Sequence, residues 1–387
     1  MIPYARQSIN QDDIDAVVNV LRADFLTQGP SVPAFEKAVA SQCGARHAVA
    51  VNNATSALHL ACLALGIGEG DLVWTSPVTF VASANCALYC GARVDFVDID
   101  PKSYNMCAAR LGEKLAQAEK AGTLPKAVIP VHLAGQSCDM AAIHALAQQY
   151  GFKVIEDASH AIGGRYRSEP VGNCRYSDIA VFSFHPVKIV TTGEGGMLLT
   201  NDPSLDASLR LLRSHGITSD PARISPRAAD EIWNYQQVGL GFNCRMSDIQ
   251  AALGLSQMRR LEEFITKRHS IAERYDTLLS GLPVVTPWQL PDSHSSYHLY
   301  IVRMKLGETH KSHRQVYDAM HSAGILVNLH YIPVYRQPYY EGLGFRPGYC
   351  PQAEGYFSDA LSLPMYPALT PAEQDEVVAR LGTALSE

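Results

Sequence analysis

Three observations predict an α/β fold with a mostly parallel central sheet, helices on both of its faces, and a smaller α+β C-terminal domain. Between about residues 47 and 200, short β-like runs alternate with helix-like stretches, as in consecutive strand–helix–strand units. The chain has 387 residues, beyond the ~250–300 at which a single core stops growing. After Pro283 the alternation stops and one strand-like run is mixed with helices. The expected division is a large domain over 14–260 and a small one over 261–387, with residues 1–13 packing near the small domain.

His47–Val51 reads as the first strand, followed by a helix that opens at Asn53-Ala54-Thr55-Ser56 and runs through Ala57–Leu65. Leu72–Thr75 is the next strand and Val78–Tyr89 the next helix. Val94–Asp98 and Ala127–His132 are strands, the second leading to a helix near Asp139–Tyr150. Phe152–Ile155 runs as a strand into Glu156 and Asp157, and Ile179–Phe184 and Gly196–Thr200 close the series. From Ser247 to Ser280, Ile249, Leu253, Leu255, Met258, Leu261, Phe264 and Ile265 recur at helical spacing. A single helix there, ~50 Å long at 1.5 Å per residue, would reach from one domain into the next. Gly281-Leu282-Pro283 stops it. Tyr297–Met304 is then a strand, and Ser312–Ala323 and Pro371–Leu385 are helices.

Composition removes whole classes of function. The net charge is −6 without a block of lysines or arginines, so no basic face for nucleic acid is expected. A hydrophobic fraction of 47% and a charged fraction of 18% match an ordinary soluble enzyme. The most apolar stretches, such as Ala57–Ile67, fall far short of the ~20 residues a bilayer span needs, and the polar Met1–Asp13 lacks a signal-peptide pattern. Nine cysteines, an odd number spread through buried-looking elements, are expected to be reduced thiols in a cytoplasm. Cys86-x-x-x-Cys90 reads as the apolar face of a helix, and His310-x-x-His313 lacks a partner ligand. No metal is expected.

Four motifs fall at predicted strand ends, where open α/β sheets bind ligands. Asn52-Asn53-Ala54-Thr55-Ser56 is a strand-to-helix junction whose free N–H groups suit a phosphate; a plain N-cap by Thr55 or Ser56 would also explain it. Glu156 and Asp157 end an apolar strand, and a carboxylate there needs a cationic or hydrogen-bonding partner; a helix cap or a surface pair is the alternative. Lys188 follows the apolar Phe182-Ser183-Phe184 run and enters Thr191-Thr192-Gly193-Glu194-Gly195-Gly196. Most lysines are simply solvated, but one held in an apolar pocket loses basicity and becomes nucleophilic. Gly239-Leu240-Gly241-Phe242-Asn243-Cys244-Arg245 is a glycine loop that says little alone. A phosphate seat, a carboxylate and a Schiff-base lysine are together what pyridoxal 5′-phosphate, cycling with its pyridoxamine form, requires. Phe80 is the candidate to cover the ring face. A nicotinamide site would need G-x-G-x-x-G after the first strand, and Gly66-Ile67-Gly68-Glu69-Gly70 has neither the place nor the spacing.

These motifs, with Ile2-Pro3-Tyr4-Ala5-Arg6-Gln7, Phe25-Leu26-Thr27-Gln28-Gly29-Pro30 and His330-Tyr331-Ile332-Pro333, make the chain similar over nearly its whole length to the DegT/DnrJ/EryC1/StrS family of sugar aminotransferases. The resemblance implies an aspartate-aminotransferase-type (fold type I) architecture dependent on pyridoxal phosphate. It implies that Lys188 is the Schiff-base lysine and Asp157 the partner of the pyridine nitrogen, with Phe80 stacked on the ring. Thr55, Ser56 and Ser183 fall on phosphate-binding positions, and Asn243 on one that reaches the phosphate of the other subunit in a homodimer. Many members carry glutamine where this chain has His160, beside the ring hydroxyl; histidine can donate the same hydrogen bond. The Ser183–Lys188 run is most similar to members that aminate UDP-linked 4-keto-6-deoxy sugars. This implies a UDP-2-acetamido-2,6-dideoxy-hexos-4-ulose of β-L-arabino configuration as acceptor, L-glutamate as donor, and a place in pseudaminic acid biosynthesis. Another C-4 or C-3 amination on the same scaffold is the alternative. A dehydratase or a non-enzymatic regulator fits poorly with the intact Lys188, Asp157 and Phe80. His185, Arg245, Arg213, His330 and Tyr331 are candidate substrate residues. The Tyr- and Pro-rich Val334–Gly348 segment reads as a substrate lid or as plain surface packing.

Overall fold

The computed structural model describes residues 1–225, 231 and 233–386. Seven strands form the central sheet: β1 (His47–Val51), β2 (Leu72–Thr75), β3 (Arg93–Phe96), β4 (Ala127–Ile129), β5 (Lys153–Asp157), β6 (Ile179–Ser183) and β7 (Gly196–Thr200), in the spatial order β1-β7-β6-β5-β4-β2-β3. All adjacent pairs are parallel except those of β7, which runs antiparallel to both β1 and β6. The strands are short and almost wholly buried because helices cover both faces, as in parallel sheets generally.

Helices α1 (Gln11–Leu21), α2 (Ser31–Cys43), α3 (Ala54–Ala64) and α4 (Ala82–Tyr89) precede or connect the first strands. Asn10 and Asp13 form a capping box on α1, and Asn53 caps α3. The cap of α3 is therefore neither Thr55 nor Ser56. Helix α4 starts later than the Val78 expected from pattern, since Pro77–Val81 is a loop that carries Phe80 outward.

The long helix expected over Ser247–Ser280 is two. Helices α5 (Asp248–Met258) and α6 (Leu261–Leu278) meet at Arg260, whose φ of −106° and ψ of 8° leave the helical region. No proline or glycine causes the break. The side chains of Arg260 and Gln257 reach back to the buried Asp13 carboxylate and the Ser8 carbonyl. They fasten α5 to α1, while α6 turns away to bury Ile271, Ala272 and Tyr275 with C-terminal residues. Continuous apolar periodicity hid the break because each half has its own partner.

In the C-terminal part, Tyr300–Met304 lies between Val284–Val285 and Ala360–Leu363 in an antiparallel sheet. The N-terminal Ile2–Pro3 pairs in parallel with Ile325–Leu326. The Val334–Gly348 segment is anchored at three residues. Val334, Tyr335 and Tyr340 are buried in the same core as β1, β2 and α3, and the Tyr340 hydroxyl donates to Asn85 at 2.5 Å.

Strand β1 is a sheet edge, and its outward backbone groups are covered by side chains, which removes a template for unwanted pairing. Glu36 Oε1 accepts from the Ala50 N–H at 2.9 Å, Arg210 donates to the Ala48 carbonyl at 2.9 Å, and Arg213 donates to the Ala50 carbonyl at 2.8 Å. Both arginines also pair with Glu36, at 3.0 and 2.6 Å. Arg213, expected among the substrate residues, is thus held by the fold. Among the described residues, no helix is long and apolar enough to cross a membrane and no His/Cys/Asp/Glu cluster could hold a metal.

Candidate active site

The parallel strands place their C-terminal ends on one side of the sheet, and the four motifs converge there. Because β7 runs the other way, its first residue lies at the same end: a Cβ on Gly196 would sit 2.6 Å from the backbone carbonyl of Asn53. Only glycine lets β7 approach the start of α3 so closely. At Gly195 a Cβ would meet Thr192 Oγ1 at 2.1 Å. Backbone approach thus explains Gly196, side-chain crowding by Thr192 and Met246 explains Gly195, and a positive φ of 80° explains Gly193.

At the start of α3, the Asn53 side chain accepts from the Ser56 N–H at 2.8 Å. The helix is capped without its own hydroxyls, so those of Thr55 and Ser56 stay outside the cap on a first turn with a positive dipole end.

The loop after β6 is fixed at its base. Phe184 donates its N–H to the Gly195 carbonyl at 2.9 Å, and its own carbonyl accepts from Thr192 N and Thr191 Oγ1. Lys188 lies within this loop, its N–H bonded to the His185 carbonyl at 2.9 Å. Burial lowers the Lys188 ammonium to about 8, against the pull of the nearby Asp157 carboxylate. A lysine at that value is neutral in roughly one molecule in ten at pH 7. Ser183, buried at the end of β6, lies with its hydroxyl 3.5 Å from the His185 N–H. His185 is exposed, yet desolvation, reinforced by Lys188 and opposed by Glu194, lowers its basicity.

Strand alternation separates the two carboxylates that end β5. Asp157 faces the site: its Oδ2 accepts from Ser83 Oγ at 2.6 Å, and its Oδ1 accepts from Ser159 Oγ at 2.6 Å and Ser159 N at 3.2 Å. Glu156 is instead buried against His132 and Ser177, at 2.9 and 2.5 Å, in the role of a structural pair.

Three buried histidines stand around Lys188. His160 Nδ1 accepts from the Ala134 N–H at 3.3 Å, which assigns its proton to Nε2, 3.3 Å from the Tyr331 hydroxyl. Burial first, then Lys188 and His330, push His160 well below the ordinary histidine range. His298 packs 4.4 Å from it, ring to ring, and is pushed well below the ordinary range by burial first, then by His160, Lys188, Arg268 and His330. His330 falls to about 3 through burial and Lys188, and shares a 2.8 Å hydrogen bond with Ser362 Oγ. All three are neutral near pH 7. Phe80 is 59% exposed, with its ring 6.4 Å from that of Tyr331.

Most residues singled out from sequence thus meet in one place: Lys188, Asp157, His160, His330, Tyr331, Phe80, Ser183 and the start of α3. Arg245 pairs through its backbone with Val51, and Asn243 is exposed with its backbone bridged to Ser214. Sequence reading missed Ser83, Ser159 and His298. Ser159 had a local signal, since a serine two residues after an aspartate commonly closes on it. Ser83 and His298 had none, because they reach the site only through tertiary contacts.

Comparison with known proteins places this geometry. The DegT/DnrJ/EryC1/StrS aminotransferase family matches residues 7–382. The chain belongs to that family. The spore coat polysaccharide biosynthesis protein SpsC of Bacillus subtilis is 38% identical over 382 residues, covering 97% of this chain and 95% of its own. The UDP-4-amino-4,6-dideoxy-N-acetyl-beta-L-altrosamine transaminase of Campylobacter jejuni is 38% identical over 345 residues, 89% of this chain and 87% of its own. Among solved structures, Helicobacter pylori PseC, an aminotransferase of pseudaminic acid biosynthesis, superposes with a TM-score of 0.90 at 29% identity, covering 99% of both chains. As a DegT/DnrJ/EryC1/StrS member this protein is a sugar aminotransferase of the pyridoxal-phosphate-dependent class.

The residues present suit that cofactor. A lysine of lowered basicity neighbours a buried carboxylate, the first turn of α3 is capped from within by Asn53, and the large aromatic Phe80 is left open to solvent at the mouth. Pyridoxal phosphate supplies an electron sink for labile Cα–H chemistry when bound. Lys188 would hold it, Asp157 would face its ring nitrogen, and Phe80 would cover the ring.

Proposed function

We propose that this protein transfers the amino group of L-glutamate to C-4 of a UDP-2-acetamido-2,6-dideoxy-hexos-4-ulose of β-L-arabino configuration. The products would be 2-oxoglutarate and UDP-4-amino-4,6-dideoxy-N-acetyl-β-L-altrosamine, consumed in pseudaminic acid biosynthesis. The observation that carries the reading is Lys188, in the loop after β6, made less basic by burial with the Asp157 carboxylate at the end of β5 nearby, in a chain 38% identical to a transaminase of that sugar. With the cofactor bound, Lys188 would be the amine placed to take the proton from the glutamate α-carbon. The same amine later returns a proton to the sugar C-4, and its fixed position sets the face of delivery. Neutral His160 donates from Nε2 and so holds a hydroxyl or phenolate oxygen without adding charge beside Lys188. In this reading His185, Arg245, His330 and Tyr331 are the residues that would contact donor and sugar.

A second copy of the chain completes the site in this reading. Trp233, Tyr235, Val238, Leu240 and Phe242 are 72, 66, 42, 81 and 37% exposed. This apolar run directly precedes Asn243, and a monomer in water gains nothing from it. A symmetric partner that buries it would bring Asn243 to the other copy's phosphate seat. Nine free cysteines suit a reducing cytoplasm.

The deciding experiment supplies L-glutamate with UDP-4-keto-6-deoxy-N-acetylhexosamines of both ring configurations and measures 2-oxoglutarate and amino sugar. Selective turnover of the β-L-arabino ketone supports the reading. Equal rates on both ketones refute the substrate assignment, and absence of 2-oxoglutarate refutes the donor. Mixing Lys188→Ala with Asn243→Ala chains tests sharing: recovered activity is expected, since one hybrid site has both residues intact.

A further inference from the structure

We propose that Ser83 is a positioning residue for Asp157, the middle of a two-hydroxyl chain that sets the orientation of the carboxylate toward the cofactor's ring nitrogen. The inference rests on the reading of Asp157 as the ring-nitrogen partner.

Thr79, Ser83 and Asp157 are 3, 0 and 5% exposed, so solvent does not compete for their hydrogen bonds. Thr79 Oγ1 lies 2.7 Å from Ser83 Oγ, and Ser83 Oγ lies 2.6 Å from Asp157 Oδ2. Ser83 has one hydroxyl proton, and a carboxylate attracts it more strongly than a neutral hydroxyl does. Ser83 therefore donates to Asp157, and Thr79 is left to donate to Ser83. The direction of the chain follows from counting protons.

The same count fixes what Asp157 has left. Its Oδ1 accepts twice from Ser159, through N and Oγ. Its Oδ2 accepts once from Ser83, so one lone pair of Oδ2 remains for a group outside the protein. Without Ser83, Oδ2 would have two open lone pairs and the carboxylate could rotate about its Ser159 contacts. Thr79 and Ser83 also flank Phe80 in sequence, and Ser83 N and Oγ both lie 3.3 Å from the Phe80 carbonyl. One turn of chain thus carries both Phe80 and the hydroxyl that orients Asp157.

The test titrates cofactor-free protein with pyridoxal 5′-phosphate, read by fluorescence and absorbance, in a double-mutant cycle. A hydrogen bond to a charged group predicts that Ser83→Ala weakens cofactor binding by about 10- to 100-fold. In an Asp157→Asn background the same change should cost less than about twofold, because the charge that Ser83 serves is gone. Thr79→Val, which keeps the Ser83 hydroxyl but removes its donor, should cost about 2- to 5-fold with the same dependence on Asp157. It carries the test alone if Ser83→Ala does not fold. Equal losses in both backgrounds would make Ser83 and Thr79 packing residues and overturn the proposal. An Asp157→Asn protein that binds the cofactor as tightly as wild type would overturn the reading of Asp157 itself.

Discussion

Replacing Lys188 by methionine should make the cofactor-free protein more stable. Methionine keeps the length and apolar stem of lysine and removes the ammonium from an enclosure that disfavours it. The fall of the Lys188 pKa from 10.5 to about 8 corresponds to about 3 kcal/mol at 1.36 kcal/mol per tenfold. Lys188 retains partial contact with solvent, which reduces the net gain to roughly 1–2 kcal/mol. The sign with pH follows from linkage. The folded value lies below the unfolded one, so the penalty is complete below about pH 8, where both states carry the proton. It fades as pH rises through 8 to 10.5, where the folded state has already released it. The assay is urea denaturation of cofactor-free wild type and Lys188→Met at pH 7 and near pH 10.5. The variant should gain about 1–2 kcal/mol at pH 7 and lose most of that advantage at the higher pH. A variant equal to or less stable than wild type at pH 7 would refute the claim that the site holds its lysine under strain.

Three further predictions follow from particular contacts. Glu36→Gln should cost about 2–3 kcal/mol of stability by leaving Arg213 without a carboxylate at the edge of β1, while Arg210 keeps Asp206, with KM for glutamate unchanged in steady-state kinetics. Gly196→Ala forces a Cβ onto the Asn53 backbone; it should displace the start of α3 and weaken pyridoxal phosphate binding in an equilibrium titration by more than tenfold. Phe80→Ala should leave thermal stability within about 0.5 kcal/mol, because the ring is largely exposed. The same change should weaken cofactor binding roughly tenfold, since stacking gives ~0.5–1.5 kcal/mol beyond burial.

The site was more legible in the sequence than the fold around it. Lys188 could be found because an apolar strand running into glycines is a local pattern, and Asp157 because a carboxylate after Val154 and Ile155 is out of place on a solvated surface. These local patterns show within a few residues, whereas the surroundings that tune them, the histidines near Lys188 and Ser83 beside Asp157, are brought together by the fold. Arg213 was misplaced for the opposite reason. An arginine at the end of a helix looks the same whether it meets a substrate phosphate or Glu36, 177 positions away.

By itself the sequence determined the kind and order of elements. Period 2 and period 3.6 are written residue by residue, and a mostly parallel sheet follows from their alternation. It also determined that the candidate site motifs lie at or just after strand ends. The tertiary structure alone decided the break at Arg260, the burial of Tyr335 and Tyr340 in the main core, and the Thr79–Ser83–Asp157 chain. Each depends on which distant surface a segment meets: Arg260 bends toward Asp13, Tyr340 toward Asn85, and Ser83 toward a strand 74 residues later. A local pattern records that a face is apolar or that a hydroxyl is present. Only the folded chain selects the partner, because the partner's approach is set by packing across the whole sheet.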